Sequence, residues 1–257
     1  MALLSPFAGY CNAGLKASKK HVSEADLLND LQRGEWLNKD YIKKLKSTKS
    51  PQKAVENIAE DSFLIKKDQN GYLISVIYNF HEGGEPFTVT GLKEIAGKKG
   101  IYELLVNVPA DITEKKSRFT LIKSKEQDEI QWSYENNHKN IKHTFVRVEP
   151  SVAVFVNRVL LAGDYKDEKG RSFVFTESGL AKWPGKDFRF ETILDYVGSP
   201  PSCDLLMEVD EHGRYSNPSV LHMFEWKGDT LLIYKVDNSG DMSTCDKKAI
   251  YKLRRTK

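Results

Sequence analysis

The sequence predicts an all-β chain folded as two antiparallel up-and-down β-barrel modules in tandem. Three observations carry that expectation. A strand opens with Gly-x-aromatic twice, at Gly34-Glu35-Trp36 and at Gly163-Asp164-Tyr165. Each opening precedes a series of short segments in which apolar residues alternate with polar ones, the period of a half-buried strand. Each series closes on a basic segment, Phe145-Val146-Arg147-Val148 first and Tyr251-Lys252-Leu253-Arg254 second.

The elements follow in order. Residues 1–13 read as the remnant of a secretory signal peptide, an apolar stretch ending in small residues but lacking a basic start. Residues 14–33 are a basic tail and a helix, with Ser23 as cap and Asp26 at the third helical position. The first module is expected over 34–149. It holds a helix-turn-helix insertion, 39–58, in which Asn38 caps one helix and Ser50-Pro51 starts the next. Tyr41, Ile42 and Leu45 form the apolar face of the first helix, and Lys43, Lys44 and Lys46 its wet face.

From Ser62 the period is two. Asp68-Gln69-Asn70-Gly71 is the strongest hairpin signal, and Tyr72–Phe80, Phe87–Thr90, Ile101–Val108, Arg118–Lys123, Glu129–Glu135 and Thr144–Val148 continue the module. Residues 150–162 are an apolar connector, read as a short helix. The second, smaller module spans 163–257, with strands from Phe173-Val174-Phe175 to Lys248–Arg254.

An internal repeat supports the tandem reading. Asp68-x-x-Gly71 recurs 99 residues later as Asp167-x-x-Gly170. Glu103-Leu104-Leu105 and Asp128-x-Ile130-x-Trp132 recur 101 residues later as Asp204-Leu205-Leu206 and Asp229-x-Leu231-x-Ile233. The opening aromatics, Trp36 and Tyr165, stand further apart because the helical insertion lies in the first module alone.

The Gly-x-Trp opening, the tight antiparallel turns and the basic residue on the last strand resemble the calycin group of β-barrels (lipocalins, avidins and fatty-acid-binding proteins). The resemblance implies structural pairs of an aromatic and an arginine at one barrel end, Trp36 with Arg147 and Tyr165 with Arg254. It also implies that helices 39–58 form a lid. The second module departs from the pattern, having Tyr for Trp and no lid.

Composition narrows the function. Hydrophobic residues make up 40% and aromatic residues 11% of the 257, enough for real cores, and the net charge of +3 is spread over both signs. No concentrated basic patch indicates a nucleic-acid partner, and no apolar run of eighteen residues indicates a membrane-spanning helix. Cys203 and Cys245 stand at the edges of two expected strands and are candidates for a disulfide, which implies an oxidising compartment. Secretion or a periplasmic location is therefore expected.

No metal-ligand spacing links the six histidines, and no nucleophile or phosphate-loop motif is present. No catalytic residue and no cofactor are expected. The candidate ligand-binding residues are Tyr78, Trp132 and Tyr134, aromatic surface with polar tips in the first module, together with Tyr41 on the helical insertion. The expected function is that of an exported non-enzymatic protein holding a small apolar or amphiphilic ligand, with a cavity opening under 39–58. The alternative is an interaction protein with filled barrels, an inhibitor or envelope scaffold that docks on a protein partner. An unrecognised enzyme is third.

Overall fold

A computed structural model describes residues 23–58, 60–69, 71–109, 115–196, 204–210, 212–214, 220–236 and 248–256. Cys203, Cys245, residues 1–13 and Asn70 of the expected turn lie outside these. Among the described residues, no helix is long and apolar enough to cross a membrane.

The first unit begins with α1 (Glu24–Leu31). Ser23 and Asp26 form a reciprocal capping box that occupies free N–H groups at its start. Nine strands follow: β1 (Glu35–Asn38), β2 (Glu60–Asp68), β3 (Gly71–Tyr78), β4 (Glu82–Gly83), β5 (Phe87–Glu94), β6 (Ile101–Asn107), β7 (Lys115–Ile122), β8 (Glu129–Asn136) and β9 (Lys139–Val148). Each long strand pairs antiparallel with its neighbour, β1 pairs with β9, and β2 pairs with β3, so eight strands close into a barrel with β4 as a spur on β3.

The second unit closes the same way with β10 (Gly163–Lys166), β11 (Ser172–Phe175), β12 (Leu180–Trp183), β13 (Lys186–Thr192), β14 (Asp204–Val209), β15 (Leu221–Lys227), β16 (Thr230–Lys235) and β17 (Tyr251–Arg255). Both are up-and-down barrels, and among the described residues closure leaves no long edge strand for unwanted pairing.

Alternation sends every second side chain inward. In the first barrel Trp36, Phe63, Phe87, Phe119, Trp132 and Phe145 are fully or almost fully buried in one core. Phe119 and Trp132 stack in parallel at 5.7 Å, and Phe87 meets both edge-on. Rings in contact at these spacings fill the interior with their own surface.

The helical insertion forms α2 (Lys39–Thr48) and α3 (Pro51–Val55). It is not simply a cover for the first barrel. Tyr41, Leu45 and Ala54 belong to the same apolar cluster as Phe175, Phe190 and Phe224 of the second barrel. Asp204 on β14 accepts hydrogen bonds from Ser50 Oγ at 3.1 Å and from Gln52 N at 3.0 Å, so a residue of the second barrel caps α3. Lys49 lies 4.5 Å from the centre of the Trp226 ring and donates to Gly228 O. The insertion is the seam between the barrels.

The connector α4 (Val152–Leu160) completes the seam. Glu35 of β1 accepts a bond from Val152 N at its start. Asn157 on its inner face joins Thr192 and the Glu177 carbonyl.

Candidate functional site

In each barrel an aromatic residue under an arginine closes one end. In the first barrel Trp36 stands directly opposite Arg147 in the β1–β9 register. The Arg147 guanidinium lies 5.2 Å from the ring centre, a favourable position for a cation over a π-face. Trp36 Nε1–H donates to Leu31 O at the end of α1. Arg147 also donates to both oxygens of Asp30 and to Asp128, and Lys123 bridges the same two carboxylates. The Arg147 bonds hold the Asp30 carboxyl at about 2, below its ordinary range.

In the second barrel the cation over Tyr165 is Arg255, at 5.6 Å, rather than the expected Arg254. The register explains the correction. Tyr165 stands opposite Arg255, and Lys166 stands opposite Arg254. A one-residue step along a strand reverses the face, so Arg254 points away from the Tyr165 ring. Tyr165 O–H donates to Leu161 O, just past α4.

The expected ligand-binding residues of the first module do not form one group. Trp132 and Tyr134 sit 4.6 Å apart between ring centres, inside the packed core. Tyr134 O–H donates to Glu60 Oε1 at 2.7 Å. Tyr78 packs at the margin of that core. Tyr41 belongs to the seam cluster with Phe80 beside it, 5.0 Å away. Its buried hydroxyl lacks a hydrogen-bond partner, and burial raises its pKa well above the usual phenol value. The aromatic stripe read from β8 is core, because its neighbours across the barrel are equally large rings.

The open end of the second barrel is different. A recess of about 350 Å³ lies there, lined by Trp183, Lys186, Val220, His222, Ile250 and Tyr251 among others. That volume falls within the range of about 300–1,000 Å³ usual for small-molecule sites. Val220 and Ile250 are among the few large apolar side chains left exposed. A larger groove of about 580 Å³ runs over the outer wall of the first barrel beside Lys93, Glu94, Lys98, Glu103 and Arg118. Its lining mixes these charges with Ile95, Ala96, Ile101 and Ile122, and none of its described lining residues carries a buried polar atom without a partner.

The recess has a polar floor. Lys186 Nζ donates to both oxygens of Glu208 at 2.6 Å, and Glu208 Oε1 lies 2.8 Å from His222 Nε2. A carboxylate held by a lysine accepts only, so His222 carries its proton on Nε2 and leaves Nδ1 as a lone-pair acceptor. Burial pushes the His222 pKa down against the pull of Glu208, which favours the neutral ring. The Trp183 ring sits against His222, with centres 4.9 Å apart. Both His222 Nδ1 and Trp183 Nε1 are buried without a hydrogen-bond partner.

Sequence reasoning passed over Trp183, Lys186, Glu208 and His222. The signal was present as alternation. His222, Phe224 and Trp226 share one face of β15, and Leu206 and Glu208 share one face of β14, so each polar residue falls on an apolar stripe. An ionisable residue on a core stripe needs a partner or a purpose.

The chain matches no known family, no curated protein and no solved structure at a significant level. The site is therefore read from its own geometry.

Proposed function

We propose that the protein is an exported, non-enzymatic binder that holds one small apolar or amphiphilic molecule in the open end of its second, calycin-like barrel. One observation carries the reading: an apolar recess of about 350 Å³ at a barrel end, with exposed Val220 and Ile250 on its rim and with Trp183 and His222, each holding a buried unpartnered ring nitrogen, among its lining residues. The first barrel, filled by its own rings, serves in this reading as the support that fixes the second. The closed eight-stranded antiparallel architecture is consistent with the calycin group. Export rests on the sequence of residues 1–13 and on the Cys203–Cys245 pair.

Native mass spectrometry of protein purified from its own compartment tests the proposal. The expected spectrum shows a stoichiometric small adduct that solvent extraction removes. Ile250→Trp, which fills the recess from its rim, is expected to abolish the adduct without unfolding the chain. A bare mass for the wild type, together with no uptake of added apolar probes, favours the interaction-protein reading instead. A mass lacking residues 1–13 and the two hydrogens of a disulfide supports export.

A further inference from the structure

We infer that the recess of the second barrel selects a ligand whose polar end is an uncharged group able both to donate and to accept a hydrogen bond, an alcohol or a phenol above all. The inference rests on the binding reading above and adds the chemistry of the ligand's head.

The argument starts from what the recess leaves unpaired. Of its described lining residues, two carry buried polar atoms without a partner: His222 Nδ1 and Trp183 Nε1. Their roles are complementary. Indole N–H donates and never accepts. His222 Nδ1 accepts, because its other nitrogen is committed to Glu208, which Lys186 holds in turn. A buried polar atom left unpaired costs about 1–3 kcal/mol, and native proteins rarely leave two such atoms, here on rings whose centres are 4.9 Å apart, without a water or ligand to serve them. A hydroxyl serves both, accepting from Trp183 and donating to His222.

Charge points the same way. Lys186 and Glu208 compensate each other, and Phe188 packs against both Trp183 and His222 without charge. A carboxylate head brings only lone pairs. It satisfies Trp183 but sets its charge against the lone pair of Nδ1. Lys235 on the rim can attract an anion toward the mouth, so the comparison with a carboxylate has to be measured. Protonation of His222 turns Nδ1 into a donor, and the bias against carboxylates then narrows. Burial lowers the pKa of this histidine from its ordinary 6.5, so the narrowing belongs to the pH range below that value.

The test uses the full chain and three probes of matched length: 1-nonanol, methyl octyl ether and nonanoate. Binding is followed at pH 8 by calorimetry and by the indole N–H resonance of Trp183, assigned with Trp183→Phe. Nonanol is expected to bind about tenfold more tightly than the ether, which cannot donate, and than nonanoate, with a shift of the Trp183 resonance. A tenfold ratio is the size of one net hydrogen bond. His222→Phe is expected to bring nonanol down to the level of the ether while leaving ether binding unchanged. Should that variant fail to fold, the order of the three wild-type affinities still decides. Equal affinities with 1:1 uptake overturn the head-group inference and leave the binding reading standing, with the two nitrogens served by water. Tighter binding of nonanoate overturns it as well. No uptake of any probe overturns both.

Discussion

In both barrels an aromatic residue on the first strand lies under an arginine of the last strand and hydrogen-bonds to a carbonyl at the end of the preceding helix. The far ends part company. At the far end of the first barrel Tyr134, Glu60 and His143 crowd together beside Trp132, and the seam helices follow directly. At the far end of the second, a comparable histidine and glutamate stand beside a lysine under an apolar recess. Closure is thus shared, and both interiors are filled by their own large rings; the far end of the second leaves room. The contrast teaches that strand topology alone does not make a container; the sizes of the side chains at the open end decide.

The largest expected effect tests how far the closed ends are equivalent. Trp36 is fully buried, and its arginine sits in a network with Asp30, Asp128 and Lys123. Trp36→Ala is expected to cost about 3–5 kcal/mol in urea unfolding. Tyr165→Ala should cost less, about 2–4 kcal/mol, because Arg255 is exposed and can rearrange. A Trp36→Ala loss below about 1 kcal/mol would remove Trp36 from its role as the plug of the first barrel.

The seam supplies the next effect. Asp61 of β2 is wholly buried, and burial raises its carboxyl to about 8 against the opposing bonds from the Phe80 and Asn79 backbone. Asp204 of β14, also buried, is raised to about 6, with bonds from Gln52, Ser50 and Tyr196 opposing. Both groups hold a proton in the fold that the unfolded chain has released above its ordinary value of 3.8. The folded state therefore binds more protons in that window, and stability falls as pH rises. The Asp204 contribution is expected to be complete by about pH 6 and the Asp61 contribution by about pH 8. Asp61→Asn should raise stability at pH 9 by roughly 3 kcal/mol, with little change at pH 4. Chemical denaturation at pH 4, 6.5 and 9 measures this. An unchanged slope between pH 6.5 and 9 in the variant would assign the titration elsewhere.

The seam also shows why part of the molecule was legible and part was not. Strand alternation, the turn residues and the opening aromatics are local, and they carried the two-barrel fold. The repeat was legible only in part. Asp128-x-Ile130-x-Trp132 and Asp229-x-Leu231-x-Ile233 fall on the equivalent strands β8 and β16 with their apolar residues inward. Leu104 and Leu205 fall on equivalent strands but opposite faces, since Leu104 is core in one barrel and Leu206 is core in the other. Asp68-x-x-Gly71 and Asp167-x-x-Gly170 occupy turns one strand out of step, between β2 and β3 in one barrel and between β10 and β11 in the other. The helical insertion was read as a lid because its apolar face was visible and its partner, more than a hundred residues away, was not. The site was missed for the same reason. Trp183, Lys186, Glu208 and His222 come from four consecutive strands, β12 to β15, and the pairing register that brings Glu208 and His222 to the Trp183–Lys186 hairpin spans long stretches of sequence.

The smallest expected effect separates the ring from its polar tip. Tyr165→Phe keeps the ring under Arg255 and removes the bond to Leu161 O, together with the contact of Arg255 Nη2 to the hydroxyl at 3.2 Å. Burial raises the pKa of this phenol above its usual value, so the neutral hydroxyl is the form that donates. The loss should be about 1–2 kcal/mol, because the bond is lost and the Leu161 carbonyl left behind is buried. The matched change in the first barrel, Trp36→Phe, removes volume as well as the N–H and should cost about 1 kcal/mol more. If the two losses are equal, the bond to the helix-end carbonyl outweighs ring size at both closed ends. If Tyr165→Phe costs nothing, Arg255 alone holds the second barrel shut, through its stack on the ring and its bond to Ala162 O.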